Sequence, residues 1–516
     1  MDKNNINESY YYTNEIIILD TNNLNTPKED NDIFVSRENV AKLLHGKNGT
    51  NVSILIVAFN RIDKTKNCVE SVLKYTENID YELILVDNGS TDSTIDYFKS
   101  VKFANKKIIR ITKNLQLPFA LLKGSYYCSG RYIAFLNNDI IVTENWLSNL
   151  LKCLESDQRI GMACAMSSNV SNLQQVDFKF SNFEEMHKKA SKYNKPDPKK
   201  WHERMRLMTL GTVYKSECID IAGNWDYGFF HDFSDDDFTF HIRRAGYKTI
   251  LCKDVFVHHD HIIGTGKLPG ELQKSLEKGR ENFRKKYYGI DPWDDVNNYE
   301  VQMIDMVECP INKNDIQVLG IDVLCGTPIL ELKNKLREFD IIDAKLSAFT
   351  ESAKYYIDLC TICEGKVECD RVDYISEYFE KEKYDYIILG KSLNLYSEPF
   401  KLLVDSLAML KKDGQLFIKF RNTHDIKALL NILGDNSALN GDEYPVHWSI
   451  NDLRNWLQKL GFNIKEFRAE SYQMDESSVS RLKEIINYAS ISQDINNSVN
   501  KMMVKTYILS IGYNEQ

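Results

Sequence analysis

VSILIVAF at 52–59 and YELILVDN at 81–88 are apolar on both faces and rich in β-branched residues, and each is followed by a segment of helical spacing, CVESVLKYT and TDSTIDYFKS. A strand that is apolar on both faces has to be covered on both. The alternation therefore predicts a parallel sheet sandwiched between helices, an α/β fold. KIIRITKN and RYIAFLNND supply two more strands. A second alternation starts near Ile316, with QVLGIDVL, YDYIILG, GQLFIKF and MMVKTYILSIGY as strands.

These patterns divide the chain into an extension over 1–50, a first α/β domain over 51–265, a helical connector over 266–315 expected to pack across the first domain, and a second α/β domain over 316–516. A chain of 516 residues with 43% hydrophobic residues has material for several cores. Its formal charge of -9 is spread along the sequence without a basic stripe, which disfavours nucleic acid or an anionic membrane as a partner and points to small ligands. MDKNNINESYYY lacks the apolar core of a signal peptide, and no apolar run reaches bilayer length, so no membrane span and a cytoplasmic location are expected. Eleven cysteines lie scattered in hydrophobic segments. CTIC at 360–363 has no second ligand pair, so buried thiols are expected rather than a zinc site.

In open parallel sheets ligands bind beyond the carboxyl ends of the strands. Two strands here end on polar side chains that would face such a ligand: LILVDNGS at Asp87 and Asn88, and IAFLNND at Asn137, Asn138 and Asp139. Thr143 is the expected cap of the helix that follows, whose apolar residues Trp146, Leu147, Leu150, Leu151 and Leu154 form a core stripe. A carboxylate beside an amide at a strand end suits a hard divalent cation bridging phosphate oxygens. The same Asn-Asn-Asp triplet also serves commonly as a turn cap, and both readings stay open on these residues alone.

Further on run GNWDYGFFHDFSDDDFTFHIRRAGYK at 223–248 and DVFVHHDH at 254–261. Together with VSILIVAFNR, LVDNGSTDST and FLNNDIIVTENWL, in that order, they resemble the family-2 glycosyltransferases of GT-A fold, over roughly 51–266. The resemblance implies that Phe59 and Asn60, with the backbone at Ala58, lie along the base and ribose of a nucleotide sugar, and that Asp87 accepts hydrogen bonds from the base. Asn137, Asn138 and Asp139 fall on the family's Asp-x-Asp motif. Asp139 is then a metal ligand for Mn²⁺ or Mg²⁺, Asn138 contacts the ribose or a metal-bound water, and His259 completes the metal shell, ahead of His258 and His261. Asp235 falls on the general base, and Asp237 is the next carboxylate of the same motif. Three successive carboxylates, Asp235 to Asp237, also suit base chemistry because crowded like charges raise one another's proton affinity. Ser234 stands where the family has an acid, and Leu122 where it has an asparagine.

The implied activity is inverting, metal-dependent transfer from a nucleotide sugar, UDP-N-acetylglucosamine or a similar UDP-sugar, to a hydroxyl. The expected acceptor is a bacterial surface protein such as flagellin. A surface polysaccharide, a lipid-linked glycan, or a non-catalytic carbohydrate-binding scaffold are the alternatives. The second half is similar to Rossmann-like S-adenosylmethionine-dependent methyltransferases, through YDYIILGKSLNLYSEPFKLL, MLKKDGQLFIKFRN and HWSINDLRNWLQKLGFNI. Its cofactor end departs from that family. Asp322 and Pro328 replace glycines in VLGIDVLCGTP, no acid is evident after the second strand in DAKLSAFT, and Lys391 and Asn394 replace an acidic residue and a histidine, which implies a degenerate domain.

Overall fold

The computed structural model describes residues 10–13, 16–19, 51–229, 232–260, 269–427, 448–488 and 494–514. Phe230, His261, Gly264 and Gly266, all in segments singled out above, lie outside them. The chain divides into two compact units, Met1–Asn297 and Asn298–Gln516. The boundary falls inside the connector expected over 266–315.

The first unit is built on one sheet of eleven strands: β1 (Tyr10–Thr13), β2 (Ile16–Leu19), β3 (Val52–Ala58), β4 (Tyr81–Asn88), β5 (Lys106–Ile111), β6 (Tyr132–Asn137), β7 (Ile140–Ile141), β8 (Ile160–Ser167), β9 (Trp201–Glu203), β10 (Thr212–Lys215) and β11 (Lys248–His259). Their spatial order is β1-β2-β5-β4-β3-β6-β10-β8-β11-β7, with β9 paired to β11. Strands β2, β5, β4, β3 and β6 run parallel, while β10 is antiparallel to both neighbours. The 1–50 extension thus contributes two strands at the sheet edge, Ile16 to Leu19 lying in register with Ile108 to Ile111.

Alternation along β3 and β4 sorts their side chains into two separate cores. Ile54, Ile56, Leu83 and Leu85 pack with Cys68, Val69 and Val72 of α1 (Ile62–Tyr75), with Ile95 and Phe98 of α2 (Thr94–Ser100), and with the Trp146 and Leu150 that begin the 146–156 helix. Leu55, Val57, Ile84 and Val86 pack on the other face with Ala120 to Leu122 of α3 (Leu117–Ser125). Each large side chain buried this way contributes about 1.5–3 kcal/mol, which is why the apolar run has no solvated face. The 146–156 helix, α4, carries the expected apolar stripe, but its start differs. Thr143 donates its hydroxyl to the Phe256 carbonyl, tying β11 down, and Asn145 in a left-handed conformation precedes the first turn.

The second unit has seven strands: β12 (Gln317–Ile321), β13 (Lys345–Thr350), β14 (Val367–Cys369), β15 (Tyr384–Leu389), β16 (Leu410–Arg421), β17 (Phe462–Ser471) and β18 (Val504–Tyr513). They lie in the order β14-β13-β12-β15-β16-β18-β17, parallel through β16 and antiparallel at β18 and β17. Seven cysteines of the chain are buried, but Cys309, Cys360 and Cys369 are exposed and Cys363 half-buried, so the expectation of buried thiols fails at these four, the CTIC segment among them. The helix carrying Cys360, Ala353–Ile362, lies at the outer part of the sheet and turns only part of its surface inward. Among the described residues no helix is long and apolar enough to cross a membrane.

Candidate functional site

In the first sheet the strand order reverses direction between β3 and β6, and the crevice at such a switch point is where open α/β sheets take ligands. Residues singled out from the sequence line it. Ala58 ends β3; Phe59 beyond it stands at the strand end 42% exposed. Asn60 and Arg61 both adopt left-handed backbone conformations, at φ 55° and 58°. Arginine rarely occupies this region, so the turn persists only because its neighbours hold it. The β4 end does the holding. The Asn60 amide donates to Ser90 Oγ at 2.8 Å, its side-chain oxygen accepts from the Thr91 amide at 2.8 Å, and the Ile62 amide donates to Asp92 at 3.0 Å. Asn138 clamps from the other side, donating to the Asn60 carbonyl at 3.0 Å and to Thr65 Oγ1 at 2.8 Å.

Asp87 closes the β4 end. One carboxylate oxygen accepts from the Ser90 amide at 2.8 Å; the other is buried without a hydrogen bond, with Arg110 at 3.7 Å. Burial raises its pKa against the pull of Ser90 and Arg110. A buried acceptor left short of a donor is costly unless a ligand supplies one.

Asp139 and His259 meet through sheet register. Strand β7 runs antiparallel to β11 with Ile140 opposite His259, and the Asp139 carbonyl accepts from the Asp260 amide. The pairing brings Asp139 Oδ1 to 3.5 Å from His259 Nε2, with Arg61 at 3.6 Å from the other oxygen. Two ligand atoms each ~2.1 Å from one cation lie ~3 Å apart at right angles, so this pair fits a divalent ion with little movement. No cluster of three or more His, Cys, Asp or Glu that could hold a metal occurs among the described residues. A cation at this pair would need further ligands such as phosphate oxygens and water, which Mg²⁺ and Mn²⁺ usually keep. The neighbouring His258 belongs to the framework: it is buried, 2.6 Å from Ser168 Oγ, and burial lowers its pKa to about 4.

The three acidic residues at the start of α7 (Ser234–Arg244) separate around the helix, each to a different partner. Asp235 alone keeps partial exposure, and it accepts from Thr209 Oγ1 at 2.6 Å. Thr209 precedes β10, whose Thr212 lies opposite Phe135 of the antiparallel β6, so Asp235 is tied to the same sheet edge as Asp139. Asp236 is buried against Arg206; burial, assisted by Asp235, raises its pKa to about 6 despite that cation. Asp237 is 1% exposed, paired with Lys286 at 2.5 Å and accepting from Tyr287 at 2.6 Å. Burial alone would raise its pKa, but Lys286 and His241 hold it well below the carboxylate range. The structure thus places Asp237, expected as a catalytic carboxylate, with its oxygens facing two buried side chains. Lys286 went unnoticed in the sequence, since it looked like one of many basic residues on a charged helix.

The second unit has its own switch point, between β12 and β15. Glu351 follows β13 directly, so the acid that DAKLSAFT lacked stands one residue beyond it. It lies 3.8 Å from Lys391, and its amide donates to Asp322 at 2.8 Å. Asp322, at φ 50°, packs its carbonyl against the α-carbon of Gly390, and the Lys391 ammonium sits 4.6 Å over the Tyr396 ring.

Fold and site together define an α/β protein with a ligand crevice at the switch point of its first sheet, edged by carboxylates. Residues 53–210 match the family model "Glycosyl transferase family 2", so the chain carries a glycosyltransferase domain of that family. An uncharacterized glycosyltransferase of Rickettsia bellii is 34% identical over 21% of this chain and 16% of its own length. The Escherichia coli UDP-Glc:alpha-D-GlcNAc-diphosphoundecaprenol beta-1,3-glucosyltransferase WfaP is 36% identical over 21% of this chain and 42% of its own. The chain thus spans well under two thirds of these relatives. Among solved structures, the Pyrobaculum calidifontis mannosyltransferase PcManGT in complex with GDP-Man and Mn2+ aligns with TM-score 0.33 and 14% identity over 47% of this chain and 72% of that one.

Proposed function

We propose that the first unit transfers a sugar from a nucleotide-sugar donor to an acceptor hydroxyl, with inversion and with a divalent cation. The observation that carries the reading is the pairing of Asp139 with His259 at the switch-point crevice, on the edge to which Asp235 is also tied. Phe59 offers an exposed ring for the base, and Asp87 a carboxylate oxygen without a hydrogen bond as acceptor for a base N–H. Asn138 holds the turn on which Phe59 stands. A cation held by Asp139 and His259 would neutralise charge on the departing diphosphate. Asp235 takes the acceptor hydroxyl's proton as the oxygen attacks the anomeric carbon and the bond to the diphosphate breaks, so the centre inverts in one displacement. Thr209, hydrogen-bonded to one oxygen of Asp235, orients the other. Asp237 carries no proton in this scheme.

The donor is a UDP-sugar, the donor class of the Escherichia coli glucosyltransferases WfaP and WfgD to which the chain is similar. Their acceptor, a sugar on diphosphoundecaprenol, favours a lipid-linked glycan as the acceptor here, ahead of flagellin. The second unit supports flagellin or another surface protein as the second reading. Its strand order, with a last strand inserted antiparallel beside the fifth, supports a methyltransferase-like scaffold, and the contacts among Asp322, Glu351, Gly390 and Lys391 support one that binds a partner rather than a cofactor.

Calorimetric titration of the full chain with UDP, GDP and S-adenosylmethionine, with and without Mn²⁺, tests the whole reading. The expected result is Mn²⁺-dependent binding of UDP and no binding of S-adenosylmethionine. Nucleotide binding indifferent to metal, or tight S-adenosylmethionine binding, would sink it. Transfer assays with a lipid-linked N-acetylglucosamine acceptor and with a flagellin then separate the two acceptors.

A further inference from the structure

Helix α8 (Pro269–Lys286) lies beyond the residues matched by the family model, and in sequence it reads as a charged connector. In the structure one of its faces is laid along the segment that leads into α7. Ser275 donates to the Asp232 carboxylate. At Gly279 a Cβ would meet the Phe233 ring at 2.7 Å and the Asp232 carbonyl at 2.8 Å, so only glycine permits this approach. Asn282 reaches the Gly228 carbonyl at 3.4 Å. Lys286, 3% exposed, bridges Asp226 at 2.7 Å and Asp237 at 2.5 Å, one carboxylate from each end of the segment.

The spacing of these four positions is 4, 3 and 4, a single stripe on a helix. The segment they hold needs holding. Phe233, the residue before α7, sits at φ 67°, a left-handed conformation that a bulky aromatic adopts only under constraint. Asp235 follows two residues later, so any drift in this cap moves its carboxylate.

We propose that the α8 stripe, with Lys286 as its anchor, is the positioning element for Asp235, so that residues outside the matched family region set the geometry of the base. This rests on the transferase reading above. Lys286 touches no reacting atom in that reading; it is a positioning residue. Donor- and cation-binding groups come from the ends of β3, β4, β6 and β11, so loss of the stripe should spare donor binding and impair the chemical step.

The test compares Lys286→Met, Lys286→Arg, Gly279→Ala and Asn282→Ala in the full chain, measuring kcat and KM for transfer, UDP affinity in Mn²⁺, and amide hydrogen exchange. The expected result is a fall in kcat of about 10- to 100-fold for Lys286→Met and Gly279→Ala, UDP affinity within roughly twofold of the parent, and faster exchange confined to 232–244. Lys286→Arg should recover most of kcat. Should Lys286→Met fail to fold, Gly279→Ala and Asn282→Ala, which leave every buried charge paired, decide the matter alone. Unchanged kcat in Gly279→Ala, or kcat and UDP affinity falling together with faster exchange across 52–58 and 132–137, would overturn the proposal. A parent chain without transfer or metal-dependent UDP binding would overturn the transferase reading instead, and exchange over 232–244 would still report whether α8 holds the segment.

Discussion

The two sheets reverse strand order in the same way, yet their switch-point crevices differ in what fills them. In the first unit the crevice is edged by an exposed Phe59, a buried Asp87 oxygen short of a hydrogen-bond donor, and an Asp139–His259 pair at 3.5 Å. In the second, Gly390 abuts the Asp322 carbonyl, Glu351 faces Lys391, and Lys391 covers Tyr396, while one Asp322 oxygen is buried short of a donor there too. The comparison teaches that a strand-end crevice is only a location. What it can take depends on the side chains presented there: an exposed aromatic ring and a carboxylate beside an imidazole in the first, a tight turn backed by glycine and an ion pair in the second.

Substitutions can break this contrast. The largest effect is expected from Asp235→Asn, which should lower transfer by about 10²–10⁴-fold while leaving UDP binding intact, measured by steady-state transfer and calorimetry. Next is Asp139→Ala, expected to lower transfer by about 10²-fold and to remove the Mn²⁺ dependence of UDP binding. Retained metal dependence would mean that other groups hold the cation.

Acid should separate the units. The folded pKa of His258 is depressed to about 4 by burial. Its contribution is therefore present above the unfolded value near 6.5 and is lost as pH falls through about 4, with a loss of roughly 2–3 kcal/mol. Asp322 in the second unit has the opposite sign, since burial raises its pKa; its contribution is present at low pH and lost as pH rises through the folded value. Exchange mapped between pH 7 and 4 should show the first unit loosening before the second, and His258→Gln should narrow the gap.

Glycine substitutions sharpen the contrast further. Gly89, at φ 81° against the Asn114 amide, and Gly326, at φ 97° against Ile362, occupy comparable strand-end turns. Alanine at either should cost about 1–3 kcal/mol in urea titration, but only Gly89→Ala should also weaken UDP binding. The smallest effect belongs to Glu351→Gln. Its half-exposed pair with Lys391 should matter by less than about 1 kcal/mol, and transfer should be unchanged.

Much of this was legible in the residues. VSILIVAF and YELILVDN announced strands buried on two faces, and LILVDNGS and IAFLNND announced the polar edge, because strand ends and apolar runs are local properties. Partnerships across the chain were not legible. Asp237 looks like Asp235 in sequence, and only the arrival of Lys286 from α8 distinguishes them. Thr143 reads as a helix cap until β11 presents the Phe256 carbonyl. Strand β10 is four residues of TVYK, too short for periodicity, and β11 breaks register between Cys252 and Phe256.

The bridge from Lys286 to Asp226 and Asp237 also has a consequence for synthesis. Both carboxylates leave the ribosome well before the lysine that will neutralise them, and until then burying them together would leave two unpaired charges. The nascent sheet can assemble from β3 to β6 while this corner stays open to water. The acidic segment can lock only when α8 has emerged, so the framework around Asp235 is completed after the strand end that carries Asp139 and before the second unit is made.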